Sequence, residues 1–279
     1  MLDTLLRRLL RTPRVDVWRG WYRRYDENPF AVDPESVSRE RFLSLAAGTR
    51  RNDALVATLG ERFGKLPDAE FVDELALATQ VVPKDEELDW SHGFLLYAVL
   101  TSYLEQVGSD RPVTIFETGT ARGFSAVCMA KALRDAGRAG TILTVDMLHA
   151  ERPLFWNSIA DADGPKTRVE LLEPWADLVE DHVVFLRGDV SVALEQIGLV
   201  RIHFAFLDAE HTYDAVRDEL AFVAAHQQPR DVIVCDDYTP RAFPEIVRAV
   251  DELAATGAYE LETFASSPGR GYAYLQKSG

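Results

Sequence analysis

Two short acidic segments carry the side chains best suited to chemistry. Asp208 ends one apolar run, with His211 three residues later, and the pair Asp236-Asp237 ends another. Carboxylates that lie close together repel one another unless a cation joins them, and hard oxygen ligands select Mg²⁺, Ca²⁺ or Mn²⁺. The pattern predicts a divalent metal site formed by Asp208, Asp236 and Asp237, with Mg²⁺ as the expected ion. Such an ion could hold a substrate hydroxyl and lower its pKa.

His211 is the candidate catalytic residue of this cluster. It stands at the start of a predicted helix. A histidine side chain titrates near neutral pH, so it can take a proton from a hydroxyl as a general base. The alternative is structural, with His211 capping the helix and Asp208 closing a turn. The Asp236-Asp237 pair has no comparable structural explanation, and this favours the chemical interpretation.

A glycine turn forms a second candidate site. It follows an apolar run that ends at Glu117 and contains Gly119, Thr120 and Gly123, while Ala121 stands where a dinucleotide-binding turn has its second glycine. An acid at the strand end repels a phosphate but suits a cationic amino group. S-adenosylmethionine carries an ammonium and a sulfonium and no phosphate. We therefore expect the acid and the three turn residues to bind that cofactor, with help from the helix N-terminus that follows.

Further acids stand at the ends of the next predicted strands. Asp146 ends the second strand, which is the place for a carboxylate that accepts ribose hydroxyls. The third strand leads into Asp189 and Val190, which are predicted to accept from an adenine amino group and to pack against its ring. Asp208 is expected at the mouth of the same crevice and in contact with the cofactor. Each acid could alternatively cap a helix or lie in a solvated loop, but their common spacing favours the ligand interpretation.

The elements that must position these residues alternate along the chain. Apolar runs rich in Val, Ile and Phe are typical of strands buried on both faces, and helical patterns separate them. The predicted strands are Val113–Glu117, Thr141–Asp146, His182–Leu186, Ile202–Leu207 and Asp231–Cys235, and the predicted helices are Ser125–Ala136, Leu171–Leu178, Val190–Ile197 and Thr212–His226. This alternation predicts a parallel sheet with helices on both faces.

The end of the chain departs from that alternation. A helix over Phe243–Ala255 precedes two strands, Tyr259–Phe264 and Gly271–Gln276, joined as a hairpin. Five parallel strands with a terminal antiparallel hairpin give a doubly wound, mostly parallel α/β sheet of seven strands. A helix over Ser91–Val107 leads into it, so the expected division is a helical extension over residues 1–90 and a sheet domain over 91–279.

The extension opposes the rest of the chain in charge. Residues 1–24 hold seven arginines against two aspartates, with leucines at helical spacing. One interpretation is a helix on a membrane surface. The favoured one is a helix that packs on its own acidic domain or on a second subunit. The extension is thus expected to be a lid or a contact in a homo-oligomer.

Bulk composition narrows the function classes. A net charge of −15 over 279 residues disfavours nucleic acid as a partner. No apolar run approaches the roughly 20 residues that span a bilayer, and the N-terminus lacks a secretory pattern, so a cytoplasmic location is expected. The two cysteines, Cys128 and Cys235, lie in apolar runs and predict buried thiols rather than a disulfide.

With these residues in place, the chain from about Ser91 onward resembles the class I S-adenosylmethionine-dependent methyltransferases. Within that class, Asp208-x-x-His211 followed by Asp236-Asp237 resembles the metal-dependent O-methyltransferases typified by the macrocin and mycinamicin sugar enzymes. The resemblance implies that Asp208 and Asp237 hold Mg²⁺, with Asp236 an adjacent candidate, and that His211 is the base. The catechol and caffeoyl-CoA relatives carry an Asp-Asn pair and a lysine near the position of His211, which argues against a catechol substrate.

The predicted function is therefore O-methylation of a hydroxyl on a small molecule, such as a sugar or another natural product, with a divalent metal assisting. Two alternatives stay open at this point. One is a metal-dependent hydroxylase on the same fold, although a single histidine falls short of the usual two-histidine iron triad. The other is a non-catalytic module that binds the cofactor and docks through its basic N-terminus.

Overall fold

The computed structural model describes residue 30 and residues 37–49, 51–83, 87–108, 111–267 and 269–279. The basic stretch 1–24 and the helix predicted in it lie outside these residues. Its role as a lid or an oligomer contact stays a prediction.

Between residues 37 and 83, the described residues form three helices: α1 (Arg39–Gly48), α2 (Asp53–Phe63) and α3 (Ala69–Thr79). At the start of each helix, a polar side chain accepts a backbone N–H of the first turn. The accepting side chains are those of Ser38, Asn52 and Asp68, respectively. In α2 the buried residues Leu55, Leu59 and Phe63 recur every fourth position, so one face of the helix is apolar. That face packs in the same core as the sheet.

The strands of the sheet and the helices that cover it follow, in alternation except for two successive helices before β3 and two successive strands at the end. They are α4 (Ser91–Gln106), β1 (Val113–Thr118), α5 (Phe124–Asp135), β2 (Gly140–Asp146), α6 (Arg168–Leu171), α7 (Ala176–His182), β3 (Val183–Arg187), α8 (Val190–Gln196), β4 (Phe204–Leu207), α9 (Tyr213–Ala225), β5 (Val232–Cys235), α10 (Pro244–Ala255), β6 (Tyr259–Ser267) and β7 (Arg270–Lys277). Across the described residues, the seven strands lie in the order β3-β2-β1-β4-β5-β7-β6. Strands β1 to β5 pair in parallel, and β7 pairs antiparallel with both β5 and β6. The predicted fold class, a mostly parallel seven-stranded sheet with an N-terminal helical region, is confirmed.

Two apolar layers cover the sheet. Side chains alternate along β4, so Phe204 and Phe206 pack with α4 and α5 on one face, while Ala205 and Leu207 pack with α9 and α10 on the other. Because helices cover both faces of the sheet, the strands are nearly continuous apolar runs in the sequence. Cys128 and Cys235 are buried free thiols, as predicted.

The segment between β2 and β3 differs most from its predicted form. The single helix expected over Leu171–Leu178 is three short pieces, α6, a 3₁₀ turn over Glu173–Trp175, and α7. Pro174 stands at the start of the 3₁₀ turn, where its missing N–H breaks the ladder of helical bonds. His182 ends α7 instead of starting β3, and its ring lies 3.1 Å from the carbonyl oxygen of Gly140.

The part of the chain that the structure describes includes no helix of the length and apolar character needed to cross a membrane.

Candidate functional site

A cavity of about 400 Å³ opens at the carboxyl ends of β1, β2 and β3. Strand order reverses between β1 and β4, and open α/β sheets bind ligands at such a point. Four of the predicted cofactor residues line the cavity, namely Gly119, Asp146, Asp189 and Val190. The sequence patterns of the turn and of the second and third strand ends therefore do converge on one crevice.

The turn after β1 depends on Gly119. Its φ is +85°, and a Cβ at this position would lie 1.9 Å from the carbonyl oxygen of Asp208. Only glycine lets the turn lie directly against the end of β4. Ala121, where a middle glycine was expected, also takes a left-handed φ of 45°. The backbone thus follows a glycine-type turn although one position carries a side chain.

The other predicted turn residues lie behind the cavity wall. Glu117 has no exposed surface, and the Ser125 hydroxyl donates to its carboxylate. Burial raises the pKa of Glu117 to about 7, although the hydroxyl opposes the shift. The Thr120 hydroxyl is buried 2.5 Å from that of Thr144. Gly123 begins α5 with a φ of 89°. In this conformation these three residues shape the turn and do not line the cavity.

Asp146 organises the cavity wall. Its carboxylate accepts the backbone N–H of Ala121 at 2.7 Å and that of Leu148 at 2.6 Å. The guanidinium of Arg168 lies 3.6 Å away and donates to the Ala121 carbonyl oxygen at 2.8 Å. Asp146 therefore ties the end of β2 to the glycine turn.

At the end of β3, Asp189 caps a helix and also lines the cavity, and its predicted contact with adenine stays a prediction. Its carboxylate caps α8 by accepting the backbone N–H of Ser191 at 2.8 Å, which is the structural alternative. It also lines the cavity together with Val190.

The acidic cluster lies at the ends of β4 and β5, beside the cavity. Asp208, His211 and Asp237 each offer one ligand atom, and these atoms lie within 4.8 Å of one another. His211 Nε2 is 3.3 Å from Asp237 Oδ2. Asp237 reaches this position through a left-handed backbone, with φ at 55°. His211 also packs edge-on against Phe243, with ring centroids 4.7 Å apart.

Asp236 does not join this group, although the sequence predicts it as a metal ligand. Its side chain is 2% exposed, and one oxygen accepts from Arg270 Nη2 at 2.7 Å. The other accepts the backbone N–H of Asp237 at 2.7 Å. The guanidinium of Arg270 and the Asp237 N–H thus hold the Asp236 carboxylate away from the other three side chains.

The sequence itself matches a known domain over this region. Residues 116–238, from β1 through the turn after β5, match the family model of a methyltransferase domain. Over these residues the chain is similar to a methyltransferase domain. The matched segment includes the glycine turn, Asp146, Asp189 and the whole acidic cluster.

Solved structures share the fold of this chain. An O-methyltransferase from Bacillus cereus in complex with S-adenosylhomocysteine is 19% identical, with a TM-score of 0.53, over 81% of this chain and 97% of that one. The O-methyltransferase TomG from Streptomyces achromogenes, involved in tomaymycin synthesis and solved with S-adenosylmethionine, is 18% identical, with a TM-score of 0.55, over 81% and 96%. The O-methyltransferase NovP is 19% identical, with a TM-score of 0.52, over 82% and 98%. No curated protein matches the sequence.

Burial and mutual repulsion dominate the electrostatics of the acidic cluster. The pKa of Asp208 is held well above its usual range, first by burial and then by the nearby carboxylates of Asp236 and Asp237. A divalent cation between Asp208 and Asp237 would relieve that repulsion. The carboxylate oxygens of these two residues suit Mg²⁺ or Mn²⁺.

Sequence reasoning missed several residues of the candidate site. Arg168 carries no motif signal, since it lies in a short helix far along the chain from the turn it binds. Glu219 lies inside α9, lines the cavity and accepts from the Thr118 hydroxyl at 2.6 Å. Burial raises its pKa to about 7. Its place in an amphipathic helix next to apolar neighbours was the available signal, because a buried acid there needs a partner.

Proposed function

We propose that the protein methylates a hydroxyl of a small molecule, with S-adenosylmethionine as the methyl donor and a divalent cation at Asp208 and Asp237. The convergence of Asp208, His211 and Asp237 next to a cavity of cofactor size carries this proposal. TomG and NovP, which share the fold, are O-methyltransferases, and TomG takes part in tomaymycin synthesis. These relatives support a small-molecule acceptor.

The cavity offers a place for each part of the donor. Asp146 would bind the ribose, while Val190 and Leu194 would offer apolar contacts to the adenine next to Asp189. The backbone at Gly119 and Ala209 would hold the methionine end.

When bound, the cation would hold the acceptor hydroxyl and lower its pKa. Asp208 and Asp237 supply its carboxylate ligands. His211 receives the hydroxyl proton at Nε2, and Asp237 Oδ2, 3.3 Å from that atom, then accepts a hydrogen bond from the protonated ring. S-adenosylmethionine, when bound, would supply the methyl group: the carbon–sulfur bond would break as the acceptor oxygen bonds to the methyl carbon, and the electron pair would stay on sulfur. Catalysis is mainly alignment of these two atoms, which fixed donor and acceptor sites provide.

Calorimetry with S-adenosylmethionine, with and without Mg²⁺, tests the donor and the cation in turn. A protein that does not bind S-adenosylmethionine would contradict the proposal. A screen of hydroxylated metabolites that monitors release of S-adenosylhomocysteine then identifies the acceptor. Turnover that is unaffected by removal of divalent ions would exclude the cation but keep the methyl transfer.

The roles of His211 and Asp237 are tested on the acceptor found in that screen. We expect His211→Ala to lower kcat by about 10²- to 10⁴-fold, as loss of a general base does, while S-adenosylmethionine affinity stays unchanged. Asp237→Ala should also weaken Mg²⁺ binding. His226→Ala is the matched control, because His226 caps the opposite end of the helix that follows His211. Unchanged activity in both cluster variants would refute the assigned roles.

A further inference from the structure

Arg270 is a partly buried cation beside the acidic cluster, and it comes from the last strand of the sheet. Arg270 Nη2 donates to Asp236 Oδ2 at 2.7 Å, and the two side chains are 19% and 2% exposed. Arg270 Nη1 also donates to the Asp89 carbonyl oxygen at 3.3 Å. The guanidinium is therefore fixed from two sides.

The residues on either side of Arg270 hold the same turn. The Tyr238 N–H donates to the Gly271 carbonyl oxygen at 2.8 Å. The Thr239 hydroxyl donates to the Gly269 carbonyl oxygen at 3.4 Å. A Cβ at Gly271 would lie 2.8 Å from the Tyr238 carbonyl oxygen, so β7 and the turn after β5 are in closest contact there. The start of β7 thus fixes the turn that carries Asp236 and Asp237.

This arrangement separates two adjacent carboxylates. Asp236 is bound by Arg270 on one oxygen and by the Asp237 N–H on the other. Asp237, one residue on, points to Asp208 and His211. Without the guanidinium, a third carboxylate would be available next to the proposed cation. With it, Asp236 and Arg270 form a pair with no net charge.

We propose that Arg270 withholds Asp236 from the cation and so sets the charge of the centre, which binds its ion through two carboxylates rather than three. This inference rests on the proposed metal-assisted function. It makes Arg270 a positioning residue that tunes cation affinity.

Charge tuning predicts opposite effects for the two partners. Arg270→Gln removes a positive charge and frees Asp236, so the centre becomes more negative by one and should bind Mn²⁺ about tenfold more tightly. Asp236→Asn keeps the guanidinium without its partner, so binding should weaken by about tenfold. The double variant restores the net charge of the wild type and should restore its affinity. A pair that only supports the fold would instead loosen the site in both single variants.

The experiment titrates Mn²⁺ into each protein without donor or acceptor, and it measures free Mn²⁺ by electron paramagnetic resonance at pH 8 to limit competition by protons. Arg201→Gln is the matched control. Arg201 forms a similar pair with buried Asp231 at 2.7 Å, at the opposite end of the same strand β5. It should lose comparable stability and keep the wild-type Mn²⁺ affinity.

The outcomes separate this inference from the proposed function. Weaker Mn²⁺ binding in both single variants, or no change in either, would overturn the role of Arg270 while the metal centre stands. A wild-type protein that binds S-adenosylmethionine but not Mn²⁺ would remove the metal centre and this inference with it. If Arg270→Gln fails to fold, Arg270→Lys replaces it. That variant keeps the charge and should keep the wild-type affinity, whereas weakening equal to that of Asp236→Asn would overturn the inference.

Discussion

Gly119→Ala should damage the fold and the cofactor site together. At this position φ is +85°, and the new methyl group would lie 1.9 Å from the Asp208 carbonyl oxygen and 3.1 Å from Ala209 Cα. The left-handed backbone costs an alanine roughly 1 kcal/mol. The clash involves backbone atoms of a buried strand end, so no side chain can rotate to relieve it. Overpacking of this kind adds roughly 1–3 kcal/mol.

Gly137→Ala isolates the first of these two costs. Gly137 also has a positive φ of +60°, but nothing lies within 4 Å of the position its Cβ would take. It should therefore lose only the backbone contribution of roughly 1 kcal/mol, which is a fall in Tm of about 3 °C for a domain of this size. Gly119→Ala should lose roughly 3 kcal/mol, or about 9 °C.

Thermal and urea denaturation of both variants, with S-adenosylmethionine titrated by calorimetry, completes the test. The displaced turn should weaken cofactor binding by at least about tenfold in Gly119→Ala, because the turn backbone forms the cavity wall. Gly137→Ala should bind normally. Equal losses of stability in the two variants would show that the close contact between the turn and the end of β4 does not limit stability. Normal S-adenosylmethionine binding by Gly119→Ala would show that the cofactor does not bind at this turn.

Two further predictions concern buried acids. Asp146→Asn should weaken S-adenosylmethionine binding by about 10- to 100-fold, since one acceptor of a backbone N–H is lost and Arg168 loses its counter-charge. Asp218 lies at the same cavity but pairs with Arg217 at the surface. Asp218→Asn should therefore leave the affinity for S-adenosylmethionine, measured by calorimetry, nearly unchanged. An equal loss of affinity in the two variants would contradict the role assigned to Asp146. Glu117 and Glu219 ionise near pH 7 in the folded protein and near 4.5 in the unfolded chain. Between pH 4.5 and pH 7 the folded state therefore holds more protons than the unfolded chain. As pH rises through this range, each glutamate lowers the free energy of unfolding by up to about 3 kcal/mol. The free energy of unfolding in urea of wild type, minus that of Glu117→Gln, should fall as pH rises through this range. A difference that stays constant would refute the raised pKa of Glu117.

Pattern in the sequence was sufficient for the order and type of the elements. Strands such as Phe204–Leu207 are apolar on both faces, and short runs of that kind between amphipathic helices admit few arrangements other than a covered parallel sheet. The terminal hairpin was also predictable from a local pattern, because Tyr272 and Tyr274 alternate with smaller residues as in a strand. Element ends were less certain. Pro174 breaks the predicted helix before β3, and the exact break depends on local capping bonds.

The candidate site was predictable only in outline. Residues at the ends of consecutive parallel strands must lie at one edge of the sheet, so Asp146, Asp189 and Asp208 could be placed there without coordinates. Which way each side chain points depends on the turns that follow. The left-handed backbone of Asp237 and the guanidinium that binds Asp236 both depend on contacts with β7, more than 30 residues further along the chain.

The sequence alone therefore determined the layers of the protein, the edge of the sheet that carries chemistry and the acids available there. These follow from local periodicity and from strand order, which short-range patterns encode. Tertiary structure alone decided that Glu117 is buried behind the cofactor cavity, that Arg168 binds the glycine turn, and that Arg270 separates Asp236 from Asp237. Those outcomes depend on contacts between residues far apart in sequence, and no local pattern marks which distant cation will reach a given carboxylate.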